Sequence, residues 1–140
     1  MYQKITLIGN LGGDPEMRYM PNGTAVTNFS LACNRRWTNQ DGAPGEETTW
    51  FRVAVWGKQA ENVNQYLSRG RQVMVEGRLT PDPTTGGPRT FDRKDGSVGA
   101  SYEIRALNVT FLGGRESGDH AYTNYDGGRK AEVEEDAIPF

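Results

Sequence analysis

Seven residues, Trp50-Phe51-Arg52-Val53-Ala54-Val55-Trp56, alternate with a period of two that suits an extended strand and no helix. Phe51, Val53 and Val55 face one way as an apolar core face, and Trp50, Arg52, Ala54 and Trp56 face the other. Two indoles and a guanidinium on the second face are costly to leave idle in water, and exposed aromatic surface of this kind marks a binding face. The rival is a face buried in a second layer or against a subunit, which would make the chain an assembly adaptor.

The same period recurs along the chain between turn signals. Gln3 to Leu11 sets Ile5, Leu7 and Leu11 against Lys4 and Thr6, and Gly12-Gly13-Asp14-Pro15 and Pro21-Asn22-Gly23 then break the chain. From Thr24 to Trp37, Phe29, Leu31 and Cys33 share a face, and polar Asn34, Arg35 and Arg36 carry the strand out of the core as an arm. Residues 38 to 48 predict a hairpin loop, with the return at Thr49. Ala60, Val63 and Leu67 recur at helical spacing from Lys58 to Arg69, with Gly70 as the C-cap. Arg71 to Thr80 alternates again with Val73, Val75 and Leu79 on one side, before a Pro- and Gly-rich loop, residues 81 to 88, that no strand interior accepts. A last strand spans about Gly99 to Leu112. Its parity changes between Ile104 and Leu107, which predicts a bulge near Arg105 and Ala106.

Three strands, a helix and two strands is the element order of an all-β fold, a five-stranded Greek-key barrel of the oligonucleotide/oligosaccharide-binding (OB) type with one short helix. At 140 residues with 18 glycines, one such domain plus an appendage is the expected size. The expected domain is residues 1–113, followed by a flexible linker over 114–131 and an acidic tip over 132–140. Cys33 is the sole cysteine, so no intramolecular disulfide forms, and no apolar run is long enough for a signal peptide or a membrane span. A cytoplasmic location, associated with the nucleoid, is expected.

The net charge of −2 conceals a division. Residues 1–114 hold 13 Lys and Arg against 11 Asp and Glu, whereas residues 115–140 hold 3 against 7. The basic side is mostly arginine, which suits stacking and phosphate forks better than lysine. An aromatic and arginine-rich barrel face lets the bases of a single strand stack on the rings while guanidiniums meet phosphates; a duplex, already stacked, has no use for it. The tail closes in Glu132-Val133-Glu134-Glu135-Asp136-Ala137-Ile138-Pro139-Phe140, an acidic run with an apolar plug and an α-carboxylate, suited to docking on a basic protein surface. Catalysis finds no support: His120 lies in the tail, Cys33 on the core face, and there is no phosphate loop, zinc spacing or serine elbow. Asp82, Asp92 and Asp95 read as turn residues rather than metal ligands, and no cofactor is expected.

Ile8-Gly9-Asn10-Leu11-Gly12, Asp14-Pro15-Glu16, Arg18-Tyr19, Pro21-Asn22-Gly23, Val26, Trp50-Phe51-Arg52-Val53 and Gly57-Lys58, with the terminal Ile138-Pro139-Phe140, closely resemble the bacterial-type single-stranded DNA-binding protein family. The resemblance implies a homotetramer wrapped by single-stranded DNA. It places stacking aromatics at Trp37, Trp50 and Trp56, where the family often has Phe, and makes Phe91 the candidate fourth, after what reads as an insertion over residues 81 to 90. It implies phosphate contacts from Lys4, Arg18, Arg52, Lys58, Arg69 and Arg89. The tip from Glu135 and Asp136 through Ala137, Ile138, Pro139 and Phe140 is then a docking peptide for replication, recombination and repair proteins; Glu135-Asp136 stands where the family usually has consecutive aspartates. Family linkers are often long, whereas here about 20 residues precede the tip, a reach of roughly 25 Å for a flexible chain.

Overall fold

The computed structural model describes residues 1–113; the expected linker and tip lie outside the described residues. Seven strands and one helix follow in the order β1 (Ile5–Leu11), β2 (Glu16–Tyr19), β3 (Ala25–Thr38), β4 (Pro44–Trp56), α1 (Lys58–Tyr66), β5 (Gln72–Leu79), β6 (Arg89–Asp92) and β7 (Val98–Phe111). Five of them close a barrel in the order β1-β5-β7-β4-β3, and β3 returns to β1 through the pairs Asn10↔Ala32 and Leu11↔Leu31. Only the β4–β7 pairing is parallel; the others are antiparallel. This is the expected OB barrel with its single helix.

Alternation does the work of closure. The inward residues Leu7, Leu11, Phe29, Leu31, Val53, Val55, Val73, Val75 and Ile104 are all buried and form one cluster with Ala60, Val63 and Leu67 of the helical segment. Thr27 is buried among them, and its hydroxyl donates a 2.7 Å hydrogen bond to the Ala60 carbonyl, which ties the helix to β3. Cys33 is half-buried, and burial pushes its thiol pKa up.

Several local expectations shift. The helix stops at Tyr66 rather than Arg69: Leu67 is extended, though its N–H still reaches the Val63 carbonyl. Gly70 does adopt a left-handed conformation, but in the following turn, where its N–H donates to Leu11 O and its carbonyl accepts from the Asn10 amide. The end of β1 has taken over the glycine that local sequence assigns to the cap. The arm ladder runs out to Thr38↔Pro44, so β4 begins at Pro44 instead of Thr49. Trp37 is the one large apolar side chain of the arm tip, so alternation gives no signal there, and Pro44 sits at the last pair, where its missing N–H is tolerated. Two short strands, β2 and β6, were not expected; apart from half-buried Met17 and Arg89 they are exposed, so they carry no core pattern. Leu79 was expected inside with Val73 and Val75, yet it is exposed, because Gly77 is the last inward position of β5.

The bulge in β7 falls at Leu107, slightly beyond the expected Arg105 and Ala106: Gly77 pairs with Ala106 and Glu76 with Asn108, which leaves Leu107 extra. Gln59 of α1 serves the backbone groups freed there. Its amide donates to Leu107 O at 2.9 Å and accepts from the Val109 N–H at 3.0 Å.

Candidate nucleic-acid interface

The outward face of β4 is the one foreseen from its alternation, and strand register decides what accompanies it. Trp50 lies opposite Ala32, Arg52 opposite Ser30, Ala54 opposite Asn28 and Trp56 opposite Val26. On the other flank, the parallel register brings Glu103 beside Arg52 and Arg105 beside Ala54. One outward surface therefore carries Trp50, Arg52, Trp56, Asn28, Glu103 and Arg105. Arg18 of β2 continues the Trp56 row, since it pairs with Val26. A groove of about 290 Å³ runs through this surface between Arg52, Trp56, Arg89 and Arg105, over Asn28 and Glu103.

The rings come with guanidiniums. Arg105 stands 5.2 Å from the Trp56 ring centroid, Arg35 lies 4.8 Å from Trp37, and Arg93 lies 5.6 Å from Phe91. Two of these rings also rest on a glycine of the facing strand. A Cβ at Gly45 would stand 2.4 Å from the Trp37 indole, and one at Gly99 would stand 2.6 Å from the Phe91 ring, so any side chain there would push the ring off its seat. The Trp37 N–H donates to Asn39 Oδ1 at 2.9 Å, which fixes the indole in its plane. Rings held this way can each take a stacked planar group, and the adjoining guanidiniums can offer fork-shaped donors to oxyanions.

Arg89 enters the groove from β6. Its Nε–H is buried and has no hydrogen-bond acceptor among the described residues; the Glu103 carboxylate, at 3.9 Å, attracts it without bonding it. Glu103 itself accepts a 3.0 Å hydrogen bond from the Ser101 hydroxyl.

The structure does not gather every expected residue. Trp37 shares the parity of Arg35 and Cys33, the reverse of that of Trp50 and Trp56, and so lies on the other face of the arm. Phe91 is exposed on the β6–β7 hairpin, paired with Gly99. Lys4 is paired with Glu76 of β5 at 2.6 Å, on a part of the barrel that β1 and β5 form without β4. Glu76, by hydrogen bond and charge, holds the Lys4 ammonium above its ordinary pKa; the reciprocal bond, helped by Asn108, holds Glu76 below the usual carboxylate range. Lys58 opens α1 beside Glu61 at 3.5 Å, and Arg69 lies in the turn after the helix, its backbone N–H bonded to Asp14. Asp82 and Asp95 cap their own turns, as expected, accepting from the Thr84 and Ser97 N–H groups. Sequence reasoning passed over Arg105, Arg78 and Glu103. Glu103 and Arg105 visibly share a parity in β7, but nothing local showed that β7 lies between β4 and β5 or that Arg78 pairs with Arg105.

A closed OB barrel with indoles and arginines on one outer face presents a surface suited to contact with another molecule. The model of the single-strand binding protein family matches residues 2–112, and the chain belongs to that family. It is 43% identical over 112 residues to a protein named single-stranded DNA-binding protein from Neisseria meningitidis, covering 80% of this chain and 60% of that one. Proteins of the same name from Helicobacter hepaticus (38% over 125 residues) and Halalkalibacterium halodurans (39% over 131 residues) are covered over 69% and 73% of their lengths, and cover 89% and 91% of this chain. The chain thus spans about three-fifths of the length of the Neisseria relative it matches. No helix among the described residues is long and apolar enough to cross a membrane.

Proposed function

We propose that this protein binds single-stranded DNA without strong sequence preference, by stacking bases on its exposed rings and meeting phosphates with the flanking arginines. The observation that carries this reading is the groove joining Arg52, Trp56, Arg89 and Arg105, one wall of which is an indole already faced by a guanidinium. Every base has a π-face, so such a surface tolerates any sequence, and stacking contributes roughly 1–3 kcal/mol per base. The names of the relatives point the same way.

In this reading residues 1–113 are the DNA-binding domain, 114–131 a linker and 132–140 a docking tip that recruits replication, recombination and repair proteins. The protein works in the cytoplasm as a homotetramer, protecting single strands during those processes. Trp50, Trp56, Trp37 and Phe91 stack; Arg52, Arg89, Arg18, Lys58, Arg69 and Lys4 serve phosphates, and Lys4 must first give up Glu76.

The test is a titration with unstructured oligothymidine of several tens of nucleotides, following tryptophan emission at two salt concentrations with duplex DNA as competitor. Strong quenching that duplex does not reverse supports the reading. No quenching even at low salt overturns it in favour of an assembly adaptor whose aromatic face is covered by protein.

A further inference from the structure

Arg78 and Arg105 stand directly opposite each other across β5 and β7, on the outward face and both exposed. Like charges at facing positions of a ladder destabilise the sheet. Neither guanidinium lies within ion-pair distance of a carboxylate among the described residues. The nearby acids are engaged elsewhere, Glu76 with Lys4 at 2.6 Å and Glu103 with Arg89 and Ser101. A repulsive pair without internal neutralisation is a place where an external anion binds favourably.

Arg105 also faces the Trp56 ring at 5.2 Å, so the pair begins at the edge of a stacking platform. The row that runs from Glu16 of β2 through Asn28 and Ala54 to Arg105 continues to Arg78. Arg52 and Arg89 share the groove with Trp56, while Arg78 lies one strand further from β4. Resting on the reading of a single-strand binder, we propose that Arg105 and Arg78 form a phosphate subsite beyond Trp56. It takes the backbone phosphate next to the base stacked on that indole and leads the strand from β4 across β7 to β5. A base arriving on Trp56 displaces the Arg105 guanidinium from the ring, and the freed fork closes on the phosphate opposite Arg78.

The experiment uses the full chain and its variants Arg78→Gln, Arg105→Gln, the double variant and Arg105→Lys, each checked for native circular dichroism. Each is titrated with oligothymidine over a salt series, and with an abasic oligonucleotide of equal length. On single strands the logarithm of the binding constant changes with the logarithm of salt by about −0.7 per phosphate neutralised. Each Gln variant is expected to flatten the slope by up to about 0.7, the double variant by up to about 1.4, and Arg105→Lys to retain it. On the abasic strand, which has phosphates but no base to lift Arg105 from the Trp56 ring, the flattening is expected to persist for Arg78→Gln and to shrink for Arg105→Gln. Wild-type binding with unchanged slopes in the Gln variants overturns the subsite and leaves the single-strand reading intact. Absence of wild-type binding overturns that reading itself, and the subsite with it.

Discussion

The Glu103 carboxylate stands 3.9 Å from Arg89 Nε, too far for a hydrogen bond and close enough to cancel part of its charge. Among the described residues it is the single acid lining a groove that also presents Arg52 and Arg105. Replacing it by Gln keeps the shape and the Ser101 contact while removing the negative charge. Glu103→Gln is expected to raise oligothymidine affinity at low salt about threefold to fivefold, equivalent to ~1 kcal/mol for a partly exposed charge. Weaker binding by the variant, in the same salt series, would mean that the carboxylate orients Arg89 more than it neutralises it.

Stacking and charge are separable by substitution. Trp56 is half-buried over Val26 and faces Arg105, whereas Arg69 lies in the turn after α1, outside the groove. Trp56→Ala is expected to cost roughly 1–3 kcal/mol, about 5- to 150-fold in affinity at moderate salt, and Arg69→Ala clearly less. The reverse order, measured on samples matched for folded fraction, would refute the ranking.

The Lys4–Glu76 pair makes stability depend on pH in a stated direction. Glu76 titrates lower in the folded chain than in the unfolded one, so its contribution is present above the ordinary carboxylate range and is lost as pH falls through the depressed folded value. Lys4 titrates higher in the folded chain, so its contribution is present below the ordinary lysine range and is lost as pH rises through the raised folded value. Urea midpoints measured across acid pH should fall less steeply in Glu76→Gln than in the wild type. Because Lys4 is exposed and Glu76 only partly buried, the difference should shrink in high salt. Parallel curves for the two proteins would rule out the linkage.

Deleting residues 132–140 is expected to raise DNA affinity at low salt, because the tail carries most of the acidic excess and is tethered beside a basic domain. The gain should disappear at high salt. An unchanged low-salt affinity would show that the tail does not compete for the groove.

Much of this protein was legible in its residues. Period-two alternation located five barrel strands, and the 3.6-residue recurrence of Ala60, Val63 and Leu67 picked out three buried positions, because burial on one face leaves a local rhythm. The segment from Trp50 to Trp56 declared both its core face and its aromatic face. Where no face is buried there is no rhythm, which is why β2, β6 and the start of β4 went unseen. Pairing is not a local quantity. That β7 runs parallel beside β4, bringing Arg105 onto Trp56 and Glu103 against Arg89, follows from how the barrel closes. Trp37 shows the same limit from the other side: three tryptophans looked equivalent in the chain, and register put one on the opposite face. Side-chain chemistry and periodicity belong to the sequence alone; which groups meet belongs to the tertiary structure, since one residue of register exchanges the two faces of a strand.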